Sequence, residues 1–184
     1  MYPSFLRLTG RKVVLVGGGR VAVGKLQGLI GEGAHVTVVA PEIRPELEQP
    51  GVLLERRRFE DADLDGAWYV VAAAPPEVNR GVLVAAERRR LFVNAVDDPP
   101  HATAYAGGVV RRDGVTIAIS TDGRAPALAG LLREALDAWL PGDLDEWMSA
   151  ADRARRDWKR DSVPIEQRRP MLLETLNRLY ERKP

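Results

Sequence analysis

The chain has 184 residues, enough for one well-cored domain with a smaller appendage and too few for two large domains. Lys and Arg total 27 against 26 Asp and Glu, and the resulting net charge of +1 gives no overall attraction to nucleic acid or to an anionic membrane. Cysteine is absent, which excludes disulfides, thiolate metal sites and thiol nucleophiles together. No apolar run approaches the ~20 residues that span a bilayer, so a soluble cytoplasmic protein is expected.

The first half alternates β-rich apolar runs with helical patterns, the signature of βαβ units and a parallel sheet. Lys12–Gly17 reads as a buried strand and Arg20–Glu32 as a helix with Val21, Leu26, Leu29 and Ile30 on its apolar side. His35–Ala40 is a second strand stopped by Pro41, Val52–Arg57 a third and Trp68–Ala73 a fourth. Glu77–Arg90 reads as a helix and Leu91–Val96 as a fifth strand. Beyond them, Ala104–Arg111 and Val115–Ser120 flank Arg112-Asp113-Gly114, and Asp-Gly is a strong hairpin signal. Pro126–Leu140 is amphipathic, with Leu128, Leu131, Leu132, Ala135, Leu136 and Trp139 near helical spacing. Two further helical patterns follow from Leu144 to Lys183, split around Pro164. The expected fold is α/β: a Rossmann-like parallel sheet domain over 1–112, a β-hairpin/helix segment over 113–143 and a small helical region over 144–184. The open edges of the hairpin favour pairing with a second subunit.

Gly17-Gly18-Gly19-Arg20-Val21-Ala22 places G-x-G-x-x-A directly after a strand and at the start of a helix. Gly17 permits the tight turn, Gly19 lets the backbone approach a pyrophosphate, and Ala22 keeps the helix close to the sheet. The helix N-terminus offers unpaired N–H groups and positive dipole to the phosphates. Without a ligand, the same residues would make a glycine-rich turn and nothing more. The second strand lacks the terminal acid that usually holds the adenosine ribose, ending in Ala40-Pro41. Glu42, two residues late, could still reach a 2′-hydroxyl, while Arg44 equally suits a 2′-phosphate. NAD is the preferred cofactor.

Four segments extend this reading: V-G-G-G-R-V-A-x-x-K from Val16, G-A-x-V-T-V-V-A-P from Gly33, F-V-N-A-V-D-D-P from Phe92, and I-A-I-S-T-x-G-x-A-P-A-L-A-x-L-L-R-E from Ile117. Together with the opening M-Y-P-S-F-L-x-L, they resemble the siroheme synthase dehydrogenase/ferrochelatase family over roughly residues 1–140. The resemblance implies NAD-dependent oxidation of precorrin-2 to sirohydrochlorin, with ferrous ion as a further substrate in some members. It also implies a homodimer built on a Rossmann domain, a dimerisation segment and a helical region. By position it places Arg20 and Val21 at the cofactor turn and Pro41 with Glu42 at the adenosine end. Asp97 matches the family's acid/base, and Ser120-Thr121 a hydroxyl pair beside the tetrapyrrole cleft. The chain departs from the family pattern at Gly24, where a basic residue is usual, and at Asp122, where Gly is common. Ala104–Gly108 also lacks the usual Phe-x-x-Pro.

Read from the residues, Asp97 follows the fifth strand, and in such sheets ligands bind beyond the carboxyl ends of the strands. A carboxylate there suits the proton that accompanies hydride removal. The plainer alternative is that Asp97 or Asp98 caps the turn before Pro99-Pro100, and Asp98 is the more structural of the two. His101 is a candidate helper in proton transfer, metal delivery or substrate binding, and His35 a surface residue. Two isolated histidines with no H-E-x-x-H pattern argue against a resident metal.

Residues 153–169 carry a net local charge of +4 from Arg153, Arg155, Arg156, Lys159, Arg160, Arg168 and Arg169 against three acids. That run suits a polycarboxylate substrate, or is simply a solvated face. Arg56–Arg58 and Arg88–Arg90 are assigned to the surface; Trp139, Trp147 and Trp158 could flank a flat macrocycle, but core packing or a subunit contact is the preferred reading. The competing functional reading is a non-catalytic NAD- or tetrapyrrole-responsive binding module, which needs the glycine turn and not Asp97.

Overall fold

The computed structural model describes residues 1–181, so the last three positions of the expected 144–184 region lie outside the described residues. The chain divides into two compact units, Met1–Ala106 and Gly107 onward.

In the first unit, β1 (Lys12–Val16), β2 (His35–Val39), β3 (Leu53–Glu55), β4 (Tyr69–Ala72) and β5 (Val93–Ala95) form one sheet in the order β3-β2-β1-β4-β5. Every pairing is parallel, with Val13 opposite both Val36 and Tyr69. The continuous apolar run of β1 follows from burial on both faces. Val13 and Leu15 pack with Ala22, Leu26 and Leu29 of α1 (Arg20–Gly31) on one face. Val14 and Val16 pack with Val82, Ala85 and Ala86 of α2 (Pro76–Arg88) on the other. Fully burying each such Val or Leu contributes roughly 1.5–3 kcal/mol, so these two clusters fix the register of the sheet.

Val21 does not join the apolar side of α1 as expected; it is 46% exposed. Its neighbour Ala22 takes the sheet-facing position, and the 100° step between adjacent helical residues turns Val21 outward. The strands are also trimmed at their ends. Arg90, at φ 56°, and the bond from Leu91 N–H to the Ala86 carbonyl close α2, delaying β5 to Val93. The arginine triplets lie on the surface and knit neighbouring loops. Arg56 pairs with Glu48, Arg57 with Asp63, Arg88 with Asp61 at 2.9 Å and Arg89 with Asp65 at 2.8 Å.

In the second unit, β6 (Gly108–Arg112) and β7 (Val115–Ile119) form an antiparallel hairpin whose turn residues Asp113 and Gly114 both have positive φ. Two positive φ values in the turn follow the right-handed strand twist, and Asp-Gly supplies them. Helix α3 (Pro126–Trp139) packs on this hairpin, where a Cβ on Gly108 would approach the Ala129 carbonyl to 3.1 Å. Arg112 ties the two together through Asp137 at 2.7 Å and the Leu140 carbonyl at 3.0 Å. Helices α4 (Leu144–Arg160) and α5 (Ile165–Glu181) then pair, split around Pro164 as expected. Among the described residues no helix is long and apolar enough to cross a membrane.

Candidate functional site

The strand order reverses between β1 and β4, since β1 leads outward to β2 on one side and β4 to β5 on the other. A crevice at the carboxyl ends of the strands opens at such a point. Three segments of the first unit meet the solvent there: the glycine turn after β1, Ala73-Ala74-Pro75 after β4, and the Asp97 loop after β5.

The three glycines have three different reasons. Gly17 sits at φ 124°, and a Cβ on it would lie 2.2 Å from the Ala73 carbonyl oxygen. Gly18 is pinned from the other side: its Cβ would meet the Glu42 carbonyl oxygen at 1.9 Å, and its own carbonyl accepts the Arg44 N–H at 3.0 Å. Gly19 has an ordinary φ of −87°, and among the described residues no atom beyond its chain neighbours lies within 4 Å of the place a Cβ would take. The protein's own packing therefore demands Gly17 and Gly18 but leaves clear space in front of Gly19. That space borders the N-terminus of α1, which no side chain caps and whose first turn holds no acid. Open backbone next to a bare positive helix end fits the pyrophosphate of a dinucleotide. Arg20 and Val21 are exposed on this first turn, while Ala22 is fully buried against the sheet. Pro41 and Glu42 are exposed beyond β2, and the Glu42 side chain has no hydrogen-bond partner among the described residues. Arg44 is engaged by Glu46 at 2.7 Å.

Asp97 is exposed at the end of β5, in the left-handed region at φ 56°, with no side-chain partner among the described residues. Its neighbour behaves differently. Asp98 Oδ2 accepts a hydrogen bond from Asn79 Nδ2 at 2.9 Å, and its carboxylate lies 2.9 Å from His101 Nδ1. These two contacts, Asn79 first and His101 second, hold the Asp98 carboxyl below the usual carboxylate range. Asp98 is thus the structural member of the pair and Asp97 the free one. His101 is fixed at one ring nitrogen by Asp98, and His35 is exposed at the start of β2. Among the described residues no three His, Cys, Asp or Glu side chains converge to hold a metal ion.

Asn79 escaped the sequence reading. It is 1% exposed, and its Oδ1 accepts the Ala74 N–H at 3.3 Å. A signal was present: Asn79 stands three residues before Val82 on the buried stripe of α2, an amide where the pattern asks for an apolar side chain.

In the second unit, Ser120 and Thr121 shape the loop that opens α3. Ser120 Oγ accepts the Asp122 N–H and Thr121 Oγ1 the Ala125 N–H, both at 3.2 Å. Asp122 sits at φ 55° and Gly123 at φ 73°, so the aspartate occupies a left-handed position that glycine suits and Asp tolerates. At the end of α4, Arg160 pairs with Asp157 and Asp161, and Arg168 of α5 donates to the Val163 carbonyl at 2.8 Å. Arg153, Arg155, Arg156, Lys159 and Arg169 have no acidic partner among the described residues. Arg155, Lys159 and Arg168 line a surface cavity of about 550 Å³ with Trp158 and Ser162.

Comparison with known proteins agrees with these features. The profile of the NAD(P)-binding family matches residues 4–108, and that of the sirohaem biosynthesis protein central family residues 112–138. Siroheme synthase 2 of Aeromonas hydrophila subsp. hydrophila is 39% identical over 170 residues, covering 91% of this chain and 36% of that protein. The siroheme synthase of Photorhabdus laumondii subsp. laumondii is 38% identical over 180 residues, covering 95% and 38%. The chain therefore spans little more than a third of the length of these curated relatives. The solved structure of SirC, a precorrin-2 dehydrogenase, superposes with a TM-score of 0.71 at 25% identity, covering 95% of this chain and 88% of that one. With its glycine turn, its bare helix end and a profile match over more than half its length, this chain belongs to the NAD(P)-binding family.

Proposed function

We propose that this chain oxidises precorrin-2 to sirohydrochlorin, using NAD as the electron acceptor. The observation that carries the reading is the pairing, at one end of one sheet, of the uncrowded backbone at Gly19 with the unpartnered carboxylate of Asp97. The oxidation removes two electrons and two hydrogens from the macrocycle. Bound NAD supplies the acceptor for one hydrogen as hydride. The other leaves as a proton, and Asp97 is the base that takes it on a carboxylate oxygen. Gly17, Gly18, Gly19, Arg20, Val21 and Ala22 would hold the dinucleotide, with Pro41 and Glu42 at its adenosine end. Glu42 is free to bond a 2′-hydroxyl while Arg44 is engaged by Glu46, which favours NAD over NADP.

Ser120, Thr121 and His101 are assigned to the substrate, and the unpaired arginines of α4 to its carboxylates. The partner is a second copy of this chain. Among its described residues the second unit buries only the apolar side chains Val110, Ala129, Leu144 and Ala150 while leaving Leu128, Leu131, Leu132 and Trp139 of α3 exposed, a stripe that another subunit would cover. Precorrin-2 and NAD are both water-soluble, and the reaction is placed in the cytoplasm. Ferrous ion enters only as a second substrate, tested by mixing it with sirohydrochlorin and the protein without NAD. Chelation at the uncatalysed rate would remove it.

The experiment is an anaerobic assay of precorrin-2 with NAD, following NADH and the sirohydrochlorin spectrum together. Stoichiometric appearance of both supports the proposal. NAD binding without turnover would leave the non-catalytic binding module instead.

A further inference from the structure

We propose that Asn79 is a positioning residue that ties the Asp97 loop to the dinucleotide turn, holding the two halves of the site in register through its single buried amide. This rests on the function proposed above. The linkage is continuous. Gly17 abuts the Ala73 carbonyl so closely that an added Cβ would lie 2.2 Å from its oxygen. The next residue, Ala74, donates its N–H to Asn79 Oδ1 at 3.3 Å. Asn79 Nδ2 donates to Asp98 Oδ2 at 2.9 Å, and Asp98 holds His101 on its far side. Asp97, at φ 56°, is the residue immediately before that anchor.

An amide is suited to this place because it presents one acceptor and one donor in opposite directions. The acceptor matches a backbone N–H and the donor a carboxylate. An apolar residue would leave both the Ala74 N–H and one side of Asp98 without a partner, and buried groups stranded in this way are costly. A left-handed aspartate such as Asp97 is also held only when its surroundings over-determine it. The anchoring of Asp98 supplies that determination. His101 faces Asp98 at 2.9 Å, and no other titratable side chain bonds to it among the described residues.

Reversing the pair tests this. Asn79→Asp sets two carboxylates against each other at hydrogen-bond distance, so one must hold a proton for the contact to survive. Combining Asn79→Asp with Asp98→Asn restores one donor and one acceptor in the opposite sense and keeps an acceptor for the Ala74 N–H. The expected result is a kcat for Asn79→Asp reduced about tenfold or more near pH 8, recovering as the pH is lowered toward about 6. Asn79→Ala should lose activity without that recovery. The double variant should return to within a few-fold of wild type at both pH values. NAD affinity and the thermal midpoint of the same variants are measured in parallel, and should show the same loss, pH dependence and rescue. A double variant no better than Asn79→Asp, or wild-type kcat in Asn79→Asp, overturns the proposal. If the wild-type protein fails to oxidise precorrin-2, the functional reading falls, and the NAD titrations still decide the linkage.

Discussion

Gly18 lies so close to the Glu42 backbone that an added Cβ would sit 1.9 Å from the Glu42 carbonyl oxygen, while Arg44 N–H bonds back to the Gly18 carbonyl at 3.0 Å. The loop beyond β2 is therefore built onto the glycine turn, and backbone has to move if anything larger replaces that glycine. Gly18→Ala should destabilise the protein by roughly 1–3 kcal/mol or more. Thermal unfolding checks this, and an unchanged midpoint would contradict the close contact.

Gly19→Ala should do the opposite. Its backbone at φ −87° accepts alanine and no described atom beyond its chain neighbours crowds it, so the thermal midpoint should fall far less than in Gly18→Ala. The added methyl group projects into the space assigned to the pyrophosphate, and NAD affinity should fall about tenfold or more, a loss of ~1.4 kcal/mol. Isothermal titration separates the two effects.

Asp98 gives a pH signature. Its folded-state pKa is depressed by Asn79 and His101, so the stabilisation it brings is present above its unfolded value of about 3.9 and lost as pH falls through the folded value. The gap in thermal midpoint between wild type and Asp98→Ala should be widest near neutrality and narrow below about pH 4. A gap independent of pH in that window would contradict the depressed value.

Leu131 stands 65% exposed on the same face of α3 as Trp139 at 77%. The wild type should sediment as a dimer and Leu131→Glu as a monomer. A wild type that sediments as a monomer would contradict the second copy.

Much of the first unit was legible because its signals are local. The apolar runs of β1, β2 and β4 need burial on both faces, and G-x-G-x-x-A between a strand and a helix states its geometry in the residues themselves. The Asp-Gly hairpin turn was equally plain. Val21 was misplaced because an apolar residue one step from the buried stripe looks the same in a periodicity count as one on it. The contacts of Gly18 and Asn79 were hidden for a different reason. Their partners Glu42 and Asp98 are far away in sequence, and only the folded chain brings a carbonyl against one and a carboxylate against the other. Asp97 and Asp98 were separable in part, since the residue nearer to Pro99 was the better turn-former, but the anchor on Asp98 is a tertiary contact.

Asp97→Asn decides the account most directly, since asparagine tolerates the left-handed φ of 56° at that position and removes only the basic carboxylate. With precorrin-2 and NAD supplied anaerobically, kcat should fall by ~10²-fold or more, while the thermal midpoint and NAD affinity hold. Turnover at the wild-type rate in that variant would contradict the assignment of the base.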